Sequence, residues 1–316
     1  MLDLDERRAR RWARRRRVGL LADRPGGGHP VHGLMPAEVK GILALESRWG
    51  EIDGSHRKLA HRGSYERRVW VSPATVRRVL AAHGRILPHR PRREPRTKTP
   101  WPEWVSYRPN VVWGYDLSAL PAARCQVLAI LDLVSRKWID YLICPEASST
   151  QVAVLFTRAL EAEGLLEGIA GRADALADPA DPDPDQPVLL AVSDNGAQMT
   201  SGSTREFMAL HAIATHFGRP GVPTDQAPIE SFLGHLKTEW PHLETIKNPA
   251  ALAAELDAIR HQYNTVRLHA GIGYVTPDDE HSGRGPAIRH ARREGLKRAR
   301  RRRIASHRKH NHQPPT

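Results

Sequence analysis

The sequence predicts a mixed α/β domain preceded by a small helical one. Three apolar, β-like runs at 111–117, 127–134 and 138–143 are separated by short turns, and a fourth, fully apolar run follows at 188–192. Helix-period stripes lie after and between them, while residues 36–84 show helical stripes and no strand pattern. Both periods within one stretch imply helices layered on a sheet.

Residues 1–34 open on an Arg-rich run (Arg7, Arg8, Arg10, Arg11, Arg14 to Arg17) and pass through Pro25-Gly26-Gly27-Gly28, which reads as a flexible joint. The run is equally consistent with a disordered basic tail and with an arm laid on a polyanion. Residues 35–87 form the helical domain. Pro36 starts a helix striped by Val39, Ile42, Leu43 and Leu45, and a second short helix fits Ser55 to His61. The last helix is the clearest, with Ser72 as N-cap, Pro73 first, Val76, Val79 and Leu80 on one face, and Gly84 closing it. Arg77 and Arg78 point away from that face, as in a helix-turn-helix whose final helix meets DNA. A helical bundle with a solvated Arg face is the alternative. Residues 88–109, rich in Pro and Arg, form a cationic linker.

The core spans 110–280. Its first three strands suit an antiparallel meander. A helix follows from Ser149 to Glu163, with Val152, Leu155, Phe156 and Ala159 on one face. Residues 174–187 alternate Asp and Pro and read as an exposed loop. The run at 188–192 suits a buried strand with a neighbour on each side. Ser203 can cap a helix through His211, and Ile213 to Phe217 suits another strand. Residues 218–224 read as a mobile loop. A helix from near Asp225 to Trp240 buries Ile229, Phe232, Leu233 and Leu236, and another runs from Pro249 to Tyr263. Past 280 the chain is basic again, with 12 Lys and Arg against Glu294 alone. It reads as a phosphate-binding extension, disordered until it meets DNA.

Charge is segregated. Residues 111–280 hold 11 Lys and Arg against 23 Asp and Glu, whereas the rest hold 37 against 12. Basic flanks around an acidic centre suit arms that hold a polyanion over a metal-binding core. Cys125 and Cys144 offer neither a disulfide framework nor metal-ligand spacing, so both are expected to be buried and reduced. No stretch is long and apolar enough for a membrane helix, and the Arg run lacks a following signal-peptide segment, which suggests a cytoplasmic protein.

Three acids stand at informative places: Asp116 and Asp194 at the ends of apolar runs, and Glu230 on a striped helix. Two unit charges ~4 Å apart repel by about 4 kcal/mol at an effective dielectric near 20. Clustered carboxylates therefore imply a counter-charge, and hard oxygens suit a pair of Mg²⁺ or Mn²⁺ ions of the kind that serve phosphodiester chemistry. Asp132, beside Ser135, fits a structural role better, and His211 and His216 lack a ligand-like partner.

The blocks Ser193-Asp194-Asn195-Gly196-Ala197-Gln198-Met199-Thr200-Ser201 and Pro223 through Glu230 to Lys237 and Glu239 carry a resemblance. So do Trp113-Gly-Tyr-Asp116, Asp132-Leu-Val-Ser-Arg-Lys137 and Tyr263-Asn264-Thr-Val-Arg267-Leu-His269 through Pro277. Together they are similar to the catalytic core of retroviral-integrase-type transposases of bacterial insertion sequences. The resemblance covers roughly residues 105–280 and extends more loosely to the upstream helical segment. It implies an RNase H-like fold, with Asp116, Asp194 and Glu230 as the metal-binding triad. It also implies Mg²⁺-dependent cleavage at element ends and strand transfer into target DNA, with water and then a DNA 3′-hydroxyl as nucleophiles. The partners implied are terminal repeats, target DNA, further copies of the chain on DNA, and an upstream-frame DNA-binding product. Lys237 matches the family's basic residue, two helical turns after Glu230 and on nearly the same face, where it would hold a phosphate. Arg267, with Tyr263, Asn264 and His269, either contacts DNA or packs the last helix. Val192 stands where many relatives have His, a departure that bears on positioning and not on the triad. Asn195 and Gly196 suit a turn that frees the Asp194 carboxylate. A nuclease that cuts without joining, and a catalytically silent DNA-binding relative, are the competing expectations.

Overall fold

A computed structural model of the chain describes residues 5–17, 19, 30–85, 87, 105–169, 187–217 and 227–311. The loop expected at 218–224, Asp225, nearly all of the loop at 174–187 and most of the linker at 88–109 lie outside those residues. No helix among the described residues is long and apolar enough to cross a membrane.

Helix α1 covers Glu6–Arg17, so the Arg-rich run is helical, while the joint expected at Pro25-Gly26-Gly27-Gly28 lies outside the described residues. Helices α2 (Pro36–Trp49), α3 (His56–Tyr65) and α4 (Pro73–Ala82) surround a small core of Ile42, Leu45, Leu59, Val76 and Leu80. Prolines begin α2 and α4, and the Ser55 and Ser72 hydroxyls accept the Lys58 and Thr75 amides. These are the caps that short helices need at their unsatisfied N–H ends.

The sheet comprises β1 (Val112–Leu120), β2 (Cys125–Asp132), β3 (Trp138–Cys144), β4 (Leu189–Ser193) and β5 (Ile213–Phe217), in the order β3-β2-β1-β4-β5. Short turns make β1, β2 and β3 an antiparallel meander. The chain then passes through α5 (Ser149–Ala162), and β4 and β5 lie parallel to β1. Parallel pairing needs such a crossover. This mixed sheet between helical layers is RNase H-like, as expected.

Pleating sends alternate residues to opposite faces. Trp113, Tyr115, Leu128 and Ile130 pack against α5 and against Met199 of α6 (Ala197–Thr200) and Met208 of α7 (Gly202–Leu210). The cap of α7 is Ser201, accepting from the Thr204 amide, and not Ser203. On the other face Val112, Leu131, Leu190 and Val192 meet Ile229, Phe232, Leu233 and Leu236 of α8 (Ala227–Glu239) and Leu252, Leu256 and Ile259 of α9 (Pro249–Thr265). The Phe232 ring lies edge-on to Trp138 at 5.0 Å, anchoring α8 over the sheet. Asn264 accepts from the Trp138 N–H and donates to its carbonyl, both at 2.9 Å, so it packs α9 on the β3 edge. Cys125 and Cys144 are buried and free.

Helix α10 (Pro277–His281) leads into α11 (Gly285–Asn311), where a tail without structure was expected. The reason is a buried stripe: Gly285, Arg292, Gly295, Ala299 and Arg303 recur at helical spacing. Arg292 donates to the Gly273 and Tyr274 carbonyls at 2.8 and 2.7 Å, and Arg303 to Glu38 and the Trp70 carbonyl at 2.8 and 2.7 Å. Gly295 lets Trp70 lie against the helix backbone. Two arginines thus do the docking, each satisfied by fixed acceptors.

A polar network closes the far end of the core. Asp132, fully buried, accepts from the Asn110, Val134 and Ser135 amides, confirming its structural role. Ser135 meets His281, and His281 meets Glu163 at 2.7 Å. Burial pushes the Glu163 carboxyl up, but hydrogen bonds from His281, Lys137 and Asn110 outweigh it and hold the group at about 2. A depressed folded-state value contributes stability that is complete above the ordinary carboxylate range and lost as pH falls through the window from about 4.5 to about 2. Glu163→Gln should therefore flatten the fall of melting temperature across that window, which thermal melts at stepped pH would measure.

Candidate active site

Each of the three acids is delivered by a different element. The parallel pairing of β1 with β4 runs Val112↔Leu190, Trp113↔Ala191, Gly114↔Val192. Asp116 lies two residues beyond Gly114 on β1, and Asp194 directly follows the last residue of β4, so both stand at the same end of the paired strands. Both belong to the even-numbered set that faces α8, given that Val112, Leu190 and Val192 pack there. Glu230 is exposed on the first turn of α8, immediately after Ile229, which is buried on that same face.

Gly114 sets how closely α8 approaches. A Cβ at that position would lie 2.8 Å from Leu133 Cδ2 and 3.3 Å from Ile229 Cβ, so only a hydrogen fits between strand and helix. The sequence run Trp113-Gly-Tyr-Asp116 contains this glycine, but no local signal distinguishes it from a turn glycine.

Electrostatics supports convergence. Burial pushes the Asp116 carboxyl up to about 6, the Leu117 amide opposes the rise, and the charges of Asp194 and Glu230 add to it. Asp116 Oδ1 accepts from the Leu117 N–H at 2.7 Å. Asp194 Oδ1 accepts from the Gly196 N–H at 2.9 Å. The Gly196 amide thus holds one oxygen of the Asp194 carboxylate, where an Asn195-Gly196 turn was expected to free it. Among the described residues no group of three or more His, Cys, Asp or Glu side chains is arranged to enclose a metal ion. Asp116 is thus electrostatically coupled to Asp194 and Glu230, without the three being closed on one point. Three hard, mutually repelling carboxylates suit a divalent cation, and the donor set fits one.

The expected cationic partners divide. Lys237 lies two turns along α8 from Glu230 and donates to the Ala119 carbonyl at the end of β1, 2.9 Å away. Arg77 and Arg78 are exposed on α4. Arg267 is largely buried, 14% exposed, with both terminal nitrogens on the Glu239 carboxylate. His269 accepts from the Gly271 amide at 3.1 Å, and His211 bonds the Phe207 carbonyl. Of the polar cluster near the core's end, Asn264, Arg267 and His269 therefore all have partners within the protein.

A family described as an integrase core domain matches residues 211–277, the segment holding α8 and Glu230. The chain is 27% identical over 174 residues to the transposase for insertion sequence element IS904 of Lactococcus lactis subsp. lactis (strain IL1403), covering 54% of this chain and 61% of that protein. It is 22% identical over 249 residues to an uncharacterised protein of insertion element IS476 of Xanthomonas euvesicatoria, covering 77% of this chain and 66% of the relative. The matches thus span under two thirds of either relative. Among solved structures, the catalytic core domain of BIV integrase superposes with a TM-score of 0.38 at 18% identity, over 55% of this chain and 95% of that one.

Proposed function

From the premise that this chain is an insertion-sequence transposase with an integrase-type core, we propose that it cleaves DNA at element ends and transfers the strands into target DNA. Asp116, Asp194 and Glu230 are its metal-binding triad. The observation that supports this reading is that Asp116 and Asp194 stand at the same end of adjacent parallel strands and that the charges of Asp194 and of Glu230 on α8 both act on Asp116. Bound there, Mg²⁺ or Mn²⁺ would polarise the scissile phosphate and activate the attacking oxygen.

The chain's own residues do the rest. The strand ends and the Gly196 amide fix two carboxylates, and α8 brings the third. Lys237, held at the end of β1, is placed to exchange its carbonyl partner for a phosphate oxygen. Exposed Arg77 and Arg78 on α4 suit contact with the duplex. Water attacks a phosphodiester, breaking its P–O3′ bond to give a 3′-hydroxyl and a 5′-phosphate; that 3′-hydroxyl then attacks a target phosphodiester and expels the target strand's 3′-oxygen as a hydroxyl, so no side chain is joined to the strand.

The test is joining of a duplex carrying the element's pre-cut terminal repeat to a supercoiled plasmid, with and without Mg²⁺ or Mn²⁺. Metal-dependent joined products support the proposal. Nicking with no joining would turn the reading to a nuclease of the same fold, and joining in the presence of a chelator would defeat the metal assignment.

Gly114→Val provides a second handle. Its branched side chain must displace Ile229 and with it Glu230. Overpacking of this kind costs ~1–3 kcal/mol. Joining should fall far more steeply than the melting temperature implies; proportionate losses would mean that Gly114 serves folding alone.

A further inference from the structure

Helix α8 has two working flanks. Glu230 and Lys237 lie on one. At 100° per residue, Ser231, His235 and Thr238 lie roughly 120° round the axis from them, and they line a cavity of about 880 Å³. Lys58 of α3 forms part of its wall from the helical unit, and Arg136, Arg267 and His269 line it from the core.

The cavity is distinguished by donors without acceptors. The Nε atoms of Arg136 and Arg267 are both buried and have no hydrogen-bond partner among the described residues. A buried charged donor left unpaired is costly, and native structures seldom retain one without a reason. Two acids, Glu51 and Glu239, also line the space, but Glu239 is already held by the terminal nitrogens of Arg267. Burial, and after it the charges of Arg136, Arg267 and Lys58 with His235 beyond them, press the His269 imidazole down to about 3. Lys58 is pressed down too, first by burial and then by Arg267. The inner wall is therefore a region of positive potential beside a neutral imidazole.

We infer that this cavity binds a phosphate group, held by Lys58 from the helical unit and by the unpaired N–H groups of Arg136 and Arg267 from the core. A tetrahedral oxyanion accepts several N–H groups at once and offsets their positive charge. The space is much larger than one phosphate, so a phosphodiester with its nucleotides fits as well as the free anion. A DNA source rests on the proposed function, whereas the site itself does not. Because its cations come from both units, an occupant would clamp the helical unit onto the catalytic sheet.

Thermal melts of the full chain in inorganic phosphate, against potassium chloride of equal ionic strength and without divalent metal, test this. A saturable rise in melting temperature is expected. Lys58→Gln and Arg136→Gln should each weaken apparent phosphate affinity by about 10- to 100-fold. Lys58, half-buried on α3, carries the test should Arg136→Gln fail to fold. If saturating duplex removes the phosphate-dependent rise and the variants bind duplex more weakly, the occupant is a DNA phosphate; if duplex leaves the rise intact, it is the free anion. No rise in the unmodified protein, or equal rises in all three proteins, would overturn the site. Absence of joining activity would leave these readings untouched, since no metal or chemistry enters them.

Discussion

Asp194→Asn should lower joining of a pre-cut end by ~10³- to 10⁴-fold, because a bound divalent ion supplies several kcal/mol of transition-state stabilisation and each 1.36 kcal/mol is tenfold in rate. The substitution is nearly isosteric, and an amide oxygen can still accept the Gly196 N–H that shapes the turn. Folding should be unaffected or slightly improved, since one of the charges that raises the Asp116 carboxyl disappears. Asp116→Asn and Glu230→Gln should give losses of the same order, and a double substitution should cost little more than either single one, as expected for residues that act as a unit. Joining assays on folded protein, checked by circular dichroism, measure this directly. Joining that survives all three substitutions would remove the triad from the mechanism.

The second large effect is on stability. Arg62 and Asp53 are both almost completely buried, paired at 2.7 Å, and Arg62 also donates to the Val266 carbonyl beyond α9. Its guanidinium lies over the Trp49 ring, 4.2 Å from the centroid. Arg62→Ala strands the Asp53 charge inside the small core of α2–α4 and cuts a tie between that unit and the sheet domain. Breaking a buried pair by removing one partner costs ~3–5 kcal/mol. Denaturant unfolding should show a loss of that size, and Arg62→Ala with Asp53→Ala should recover a good part of it. A loss below about 1 kcal/mol, the range of exposed pairs, would mean that the pair is solvated in solution.

Much of the sheet and its helices was legible because the signals are local. Alternating or continuous apolar runs marked the strands, Ser72-Pro73 marked a helix start with its own capping chemistry, and Pro249 marked another. The three acids drew attention for the same reason, since each sits at the end of a run or on a clear stripe, and their joint role in holding metal is a proposal. What escaped depends on partners distant in sequence. The docking face of α11 is built from Arg292, Gly295, Ala299 and Arg303, and hydropathy scores two of those as solvent-facing charge. Their burial depends on the Gly273, Tyr274 and Trp70 carbonyls and on Glu38, which no window around residue 300 contains. Arg267 was expected either at DNA or packed on the last helix, and the sequence could not reveal that Glu239 would take its terminal nitrogens. The cation-lined cavity escaped likewise, because Lys58, Arg136 and His269 meet only after the helical unit docks on the core.

The central claim is that Asp116, Asp194 and Glu230 jointly hold divalent metal. A crystal of the protein soaked in Mn²⁺, with diffraction recorded at the manganese edge, tests it most directly. Anomalous density among the three carboxylates, lost in Asp194→Asn, is the predicted result. Manganese bound elsewhere, with that space empty at saturating Mn²⁺, would contradict the account.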